Sequence, residues 1–258
     1  MPPAAAPLSP MIEAVAIGRN EGARLQACLM SLQAQVGRVI YVDSGSTDGS
    51  VALAQALGAE VVALDMTLPF TAARARNAGL ARVSGGAEFV QFVDGDCELQ
   101  PGWVAAALAA FAAHPAAVVV CGRRRERHPG ASLWNRLADR EWDTPVGRAK
   151  ACGGDALMRV AAVRAQGGYR EDLIAGEEPE LCLRLRGAGG EVWRIDAEMT
   201  LHDAAMTRIS QWARRTVRAG HAFAEGAALH GAPPERHWVA ETRRALLWGA
   251  VLPLVALA

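Results

Sequence analysis

Residues 89–100 read Phe89-Val90-Gln91-Phe92-Val93-Asp94-Gly95-Asp96-Cys97-Glu98-Leu99-Gln100. A short apolar run ends in two carboxylates with a glycine between them, the pattern of a buried strand that stops at a turn. The pattern recurs upstream. Glu13–Gly18 (EAVAIG) precedes Arg19-Asn20-Glu21, and Arg38–Asp43 (RVIYVD) opens the turn-rich run Ser44–Ser50 (SGSTDGS). Between them, Arg24–Gln35 places Leu25, Cys28, Leu29 and Leu32 at helical spacing. Val51–Leu57 and Thr71–Val83 read as further helices, Glu60–Leu64 and Val118–Gly122 as strands. Trp103–Ala113 reads as a helix behind Pro101, which a first helical turn tolerates. Strands alternating with helices of this length predict right-handed crossovers and an α/β fold, a mostly parallel sheet with helices on both faces. In such sheets ligands bind beyond the carboxyl ends of the strands. Three strands here deliver polar or acidic residues to that edge.

The second half is less regular. Arg123–Arg148 is rich in Arg and Trp and has no clear period. Ala156–Gln166 reads as a short strand running into a helix, closed by Gly167-Gly168. Pro179–Arg186 is a short helix, Glu191–Ile195 a strand, and Arg208–Ala228 a long helix with basic residues on one side. The expected organisation is a disordered lead-in at 1–10 (MPPAAAPLSP, without the basic and apolar regions of a secretory signal), one domain at 11–228 with halves at 11–123 and 124–228, and an apolar segment at 229–258. Arg243-Arg244 precede an uncharged run, 245–258 (ALLWGAVLPLVALA). It is shorter than the roughly 18–20 residues that span a bilayer. Three readings are open: an interfacial or re-entrant segment, part of a membrane helix, or an apolar helix packed on the domain.

The chain has 258 residues with 27 basic and 27 acidic side chains, so the net charge is zero. No basic surplus grips nucleic acid, and no nucleic-acid partner is expected. Hydrophobic residues make up 51%, enough for a core and against disorder. The cysteines Cys28, Cys97, Cys121, Cys152 and Cys182 are odd in number, widely spaced and without a CxxC, so buried free thiols are expected rather than a zinc site or disulfide framework.

Several residues carry candidate chemistry. Asp94 and Asp96 offer hard oxygen ligands that suit Mg²⁺ or Mn²⁺, which keep open positions for phosphates. Asp43, at a strand end, can accept from a base edge or a ribose hydroxyl, while the Ser, Thr and Gly that follow supply turn geometry and a helix cap. Arg74 and Arg76 are two apart, do not share a helix face, and one of them could reach a phosphate. Glu177 and Glu178 stand at a helix start, where acids favour the macrodipole, and a carboxylate there could also deprotonate an acceptor hydroxyl. His202 could add an imidazole to the Asp site. Gln211, Trp212 and Arg214 open the long helix, offering an apolar platform and a cation for a phosphate or acceptor.

The ordered set AIGRNE, VIYVDSGSTDGS, ARNAG, FVQFVDGDCELQPGWV, GGDALMRVAAVRAQGGY and GEEPELCLRLRGAGGEV resembles family 2 glycosyltransferases. The resemblance covers most of residues 12–220. It implies the Rossmann-like GT-A fold and transfer of a sugar from a nucleotide diphosphate sugar, with inversion and a divalent cation. It also implies that Asp94 and Asp96 form the DxD pair that meets ribose and metal. Asp43 matches the acid near the base, Glu21 the acid of the Asn-Glu element, and Arg76 lies in the matching ARNAG. Glu178 falls at the general base of the family's Glu-Asp motif, with Glu177 before it. Here Glu replaces Asp, and Pro179 follows directly. QWARR at 211–215 matches the QxxRW of processive synthases only in Gln211 and Arg214, which favours transfer of a single sugar. The resemblance and the apolar segment imply a glycan or lipid-linked acceptor of the cell envelope and a place on the cytoplasmic side of the membrane, or in the cytoplasm. Two other functions fit a carboxylate-edged sheet. A sugar-1-phosphate nucleotidyltransferase would need a Gly-rich basic loop after the first strand, which AIGRNEGARL lacks. A non-catalytic nucleotide-binding protein of the membrane surface would have no need of an intact acid set.

Overall fold

The computed structural model describes residues 11–257, so the lead-in expected at 1–10 lies outside the described residues. In chain order the elements are β1 (Ile12–Gly18), α1 (Ala23–Gln33), β2 (Arg38–Asp43), α2 (Ser50–Ala56), β3 (Glu60–Ala63), α3 (Ala72–Leu80), β4 (Phe89–Asp94), β5 (Cys97–Leu99) and α4 (Trp103–Ala113). Then come β6 (Ala117–Glu126), α5 (Leu133–Glu141), β7 (Gly147–Ala149), β8 (Ala156–Arg159), α6 (Val160–Ala165), α7 (Glu177–Gly187), β9 (Glu191–His202), α8 (Ile209–His230) and α9 (Val239–Leu246). A π-helical turn at Leu247–Val251 leads into α10 (Leu252–Leu257).

The strands form one sheet in the order β3-β2-β1-β4-β8-β6-β9-β5, with β7 on β9. β3, β2, β1 and β4 are parallel, and β6 is parallel to β9. β8 is inserted antiparallel between β4 and β6. Register aligns the strand ends. Ile17 pairs with Asp94 and Gly18 with Asp43, so both acids emerge at one edge. β5 runs antiparallel to the end of β9 with Cys97 opposite His202, which carries His202 to the same edge.

Ala14, Val15, Ala16, Val90 and Phe92 are buried, as strands covered on both faces require. On α1, the predicted stripe of Leu25, Cys28, Leu29 and Leu32 is fully buried. Each such leucine is worth about 1.5–3 kcal/mol in burial. The polar exception, Gln91, accepts from Trp103 Nε1 at 2.8 Å and donates to Phe92 O at 2.8 Å, so an amide is satisfied inside an apolar strand. All five cysteines are buried and free, and Cys152 Sγ lies 3.6 Å from Cys182 Sγ.

The structure departs from the sequence reading mainly after residue 122. β6 runs on to Glu126 and β9 on to His202, while β5, α5 and β7 were not anticipated. α8 ends at His230 rather than near 228. His237 N donates to His230 O and Thr242 Oγ1 to Phe223 O, so α9 retraces α8 in the antiparallel direction. The apolar segment beyond it is helical but not packed on the domain. Trp248, Leu254 and Val255 are 67–69% exposed, and α9 and the π-turn bury no residue, which overturns the packed reading. Among the described residues no helix is long and apolar enough to cross a membrane.

Candidate active site

A cleft of about 1230 Å³ opens at the carboxyl edge of β1, β2 and β4. Its floor is Ile17, Gly18, Glu21, Ser44, Asp94 and Asp96, and α8 forms a wall with Gln211, Arg214, Arg215 and Arg218. Asp43 lies just beneath, buried. Its Oδ2 accepts from the N–H groups of Gly45 and Ser46 at 3.0 and 2.9 Å, and Tyr41 Oη donates to its Oδ1 at 3.2 Å. The turn after β2 is thus built on the Asp43 carboxylate. Asn20, in the left-handed region at φ 58°, fastens that turn to β1. Its N–H donates to Ser46 Oγ and its Oδ1 accepts from Thr47 N. The neighbouring Ser44 Oγ is buried with no partner and lines the cleft. Glu21 pairs with Arg24 at 2.7 Å. Burial, reinforced by Asp96, raises its pKa above the ordinary glutamate value.

Asp94 is held by two arginines. Arg76 Nη2 donates to Oδ1 at 2.8 Å, and Arg124 Nη2 to Oδ2 at 3.2 Å. Burial alone would raise its pKa, but the two guanidinium groups outweigh burial and hold it below the usual carboxylate range. Arg124 is itself anchored by the fully buried Asp155, whose Oδ2 accepts from Arg124 Nε at 2.8 Å and from Thr200 Oγ1 at 2.7 Å. Asp155 Oδ1 accepts from the backbone N–H of Asp94 at 3.2 Å. Gly154, one residue earlier, has room for no side chain. A Cβ there would fall 2.7 Å from Arg76 Nη2 and 2.8 Å from Asp94 Oδ2.

Arg76 is buried, and its other nitrogen faces α7. Nη1 lies 2.8 Å from Glu177 Oε1 and 2.9 Å from Glu178 Oε1. Arg76 therefore ties Asp94 to both glutamates at the start of α7, and it does not line the cleft as a cation free to reach a phosphate. Arg74 clamps the backbone carbonyls of Asp65, Leu68 and Pro69 instead. Burial lifts the Glu178 carboxyl most. Glu177 and Asp94 add to the lift and Arg76 opposes it, leaving a group that titrates at about 7.

Asp96 Oδ2 lies 3.1 Å from His202 Nε2, while His202 Nδ1 is buried with no partner. Donor atoms of Asp96, Cys97 and His202 lie within 4.8 Å of one another. Burial pushes the Cys97 thiol well up, so it stays protonated and is a poor ligand. Asp96 and His202 remain as an oxygen and a nitrogen donor, a set that fits Mn²⁺ or Mg²⁺ beside a phosphate. Both oxygens of Asp94 are already engaged. Gly95 makes the turn between the acids possible: its N–H donates to Ile17 O at 2.8 Å, and a Cβ would sit 3.1 Å from that same oxygen.

On α8, Gln211 accepts from the N–H groups of Thr207 and Arg208 and so caps the helix while lining the cleft. Trp212 stacks on Trp134 at 5.1 Å between centroids and turns from the cleft. Arg214 lines the cleft. Arg124, Asp155 and Trp142 were not singled out from the sequence. Trp142 lies under the Arg124 guanidinium at 5.5 Å and against His202 at 4.8 Å. Asp155 stands in the GGDALMRV stretch, so the one available signal was present without a role attached.

Comparison with known proteins bears on these acids. The model described as glycosyl transferase family 2 matches residues 15–163, more than half of the chain. A pre-mycofactocin glycosyltransferase of Mycobacterium tuberculosis is 28% identical over 226 residues, covering 82% of this chain and 46% of its own. The succinoglycan biosynthesis protein ExoA of Rhizobium meliloti is 26% identical over 193 residues, covering 69% and 58%. The chain thus spans about half the length of these relatives. Among solved structures, a mannosyltransferase from Pyrobaculum calidifontis in complex with GDP-Man and Mn²⁺ superposes with a TM-score of 0.69 at 20% identity, covering 92% of this chain and 70% of its own. A glucosyl-3-phosphoglycerate synthase from Mycobacterium tuberculosis with Mn²⁺, UDP and glucosyl-3-phosphoglycerate gives 0.59 at 18% identity, covering 88% and 82%. These neighbours share the mixed α/β architecture, the GT-A fold. With the family match running from β1 through β8 and taking in Asp43, Asp94, Asp96 and Asp155, the chain belongs to glycosyl transferase family 2.

Proposed function

We propose that the protein transfers a single sugar from a nucleoside diphosphate sugar to an acceptor hydroxyl, with inversion at the anomeric carbon. The observation that carries this reading is the Arg76 bridge. One guanidinium joins the strand-end acid Asp94 to Glu178, whose carboxyl titrates at about 7. A base poised near neutrality and tied through one guanidinium to the strand-end acid is what deprotonation of a hydroxyl beside the donor needs. The two solved neighbours, one in complex with GDP-Man and Mn²⁺ and the other with UDP and Mn²⁺, support the donor class.

In this reading Asp43 and Glu21 receive the nucleoside, with Ser44 beside the base, and Asp94 accepts from ribose. Asp96 and His202 would hold a divalent cation, which would supply positive charge beside the diphosphate leaving group. Glu178 takes the proton of the acceptor hydroxyl as its oxygen bonds to the anomeric carbon and the bond to the diphosphate breaks. Arg76 keeps Glu178 aligned, and Glu177 shares the same cation. Gln211, Trp212 and Arg214 belong to the acceptor side, with Gln211 and Trp212 setting the helix and Arg214 facing the acceptor. The exposed apolar side chains at 246–255, behind Arg243 and Arg244, support a seat on the cytoplasmic surface of a membrane, where a lipid-linked or envelope glycan acceptor would be met.

The test is a thermal-shift panel of nucleoside diphosphates with and without Mn²⁺, followed by turnover with the sugar form of the best binder. A ligand at about 100 times its dissociation constant adds about 2.7 kcal/mol to the folded state. The expected result is a Mn²⁺-dependent shift that Asp96→Ala abolishes, and turnover that Glu178→Gln reduces about 10²–10⁴-fold with donor affinity kept. Pyrophosphate release from a nucleoside triphosphate and a sugar phosphate would instead assign a nucleotidyltransferase. Binding without turnover on any donor would assign a non-catalytic protein.

A further inference from the structure

The cleft is larger than the roughly 300–1,000 Å³ of a typical single-ligand site, and its far wall has a chemistry the donor end lacks. Arg214, Val217, Arg218 and His221 all line it, and their spacing of three, four and seven residues puts them on one face of α8. Arg215 is paired with Glu141, and His221 lies 3.2 Å from Glu225. Among the described residues, Arg214 and Arg218 have no carboxylate within ion-pair distance. Facing the same space are large apolar side chains left in the open: Phe70 at 50%, Ile174 at 54% and Val217 at 73% exposure. Two free guanidinium groups bind an anion, phosphate above all, because their planar forks match its oxygens. The exposed apolar rim asks for a hydrocarbon in the same ligand.

Continuity points the same way. α9 retraces α8 toward the end that carries Arg218 and Arg214, and the exposed apolar run at 246–255 continues from α9. An amphiphile with an anionic head therefore meets cations and apolar surface along one path. We propose that the acceptor is a phosphate-bearing amphiphile, its phosphate held by Arg214 and Arg218 and its hydrocarbon laid against Phe70, Ile174 and Val217. This rests on the transferase reading above and names the acceptor class for the same cleft.

The test is isothermal titration of the full chain, loaded with Mn²⁺ and its preferred nucleoside diphosphate, using dodecyl phosphate below its micellar concentration. Inorganic phosphate, dodecyl maltoside and vesicles of phosphatidylglycerol in phosphatidylcholine serve as comparison probes. Dodecyl phosphate is expected to bind at least about tenfold more tightly than inorganic phosphate or dodecyl maltoside. Arg214→Gln combined with Arg218→Gln is expected to weaken it about tenfold or more, while nucleoside diphosphate affinity stays within about twofold. Val217→Ser, at an exposed position, is expected to weaken dodecyl phosphate but not inorganic phosphate. Equal binding of dodecyl maltoside would reduce the site to an apolar surface, and equal binding of inorganic phosphate would reduce it to an anion site. Either result overturns the proposal. So does a double variant that loses the vesicles but keeps dodecyl phosphate, because the arginines would then read bilayer headgroups rather than an acceptor. Loss of nucleoside diphosphate binding in the wild type would count against the transferase reading itself, whereas its retention without dodecyl phosphate binding would overturn the acceptor class alone.

Discussion

Replacing Asp155 by asparagine should cost stability out of proportion to the size of the change. Asp155 is fully buried and serves four donors: Arg124 Nε and Nη2, Thr200 Oγ1 and the N–H of Asp94. Asparagine keeps the shape, removes the charge and turns one acceptor oxygen into an NH₂ that faces donors. Breaking a buried ion pair from one side costs about 3–5 kcal/mol, because the other charge is left behind. Arg124 keeps Asp94 at 3.2 Å, and its side chain is 16% exposed at the cleft, so the lower end applies. At about 2–4 °C per kcal/mol for a chain of this size, a loss of about 3 kcal/mol lowers Tm by about 6–12 °C. Circular dichroism melts with urea titrations would measure it, with the exposed Asp196→Asn as a control expected within about 0.5 kcal/mol of wild type. Because Asp155 also fixes the Asp94 backbone, nucleoside diphosphate binding should weaken at temperatures where the variant is still folded. If Asp155→Asn melts within about 2 °C of the control, the pair is not an anchor and the reasoning fails.

Other consequences are more direct. If Glu178 is the base, turnover should rise with pH through about 7, since the carboxylate form is the one that accepts a proton; a rate flat between pH about 5 and 9 would remove it from that role. The same titration has an opposite sign in stability. The folded carboxyl holds its proton up to about 7 and the unfolded one only to 4.5, so stability is fully present below 4.5 and falls as pH rises through that window. Glu178→Gln should flatten that slope in urea midpoints. Gly154→Ala puts a methyl group 2.7 Å from Arg76 Nη2 and 2.8 Å from Asp94 Oδ2, so nucleoside diphosphate affinity should drop about tenfold by calorimetry. An unchanged affinity would mean that the Arg76–Asp94 contact is not used.

The parallel half of the fold was legible because short apolar runs such as FVQFV and EAVAI, bounded by turn residues and alternating with helical segments, read as strands buried on both faces, and their terminal acids then share an edge. Asp43, Asp94 and Asp96 were found that way. The three-residue strands β5 and β7 have too few positions to show a period. α5 carries a short apolar stripe of Leu133, Trp134, Leu137 and Ala138, but the stripe spans little more than one turn inside a stretch dense in Arg and Trp, and only Asn135 and Ala138 are buried. Arg124 and Asp155 escaped for another reason. Thirty-one residues separate them, and their meaning exists only as a contact. Arg76 was seen as a cation near phosphate, but its three carboxylate partners lie 18 to about 100 positions away, and proximity in the fold turned it inward. The C-terminal segment offered three readings, since composition alone cannot tell an apolar helix that packs from one that does not.

The register that sets Cys97 opposite His202 has a bearing on how the protein comes into being. Asp96 and His202 are 106 residues apart, whereas the first ion pair across neighbouring parallel strands, Arg38 with Glu13, spans 25. Closing the longer loop costs about 1.2 kcal/mol more in chain entropy, two doublings of length at about 0.6 each. Local parallel pairs have the advantage, and the pairing of β5 with β9 is expected to follow them. The proposed cation-binding end of the cleft, which needs both Asp96 and His202, is therefore expected to be completed late in folding. A ribosome-bound chain that has not yet emitted β9 already owns Asp43, Asp94 and Asp96, and lacks the imidazole that lies 3.1 Å from Asp96 in the finished fold.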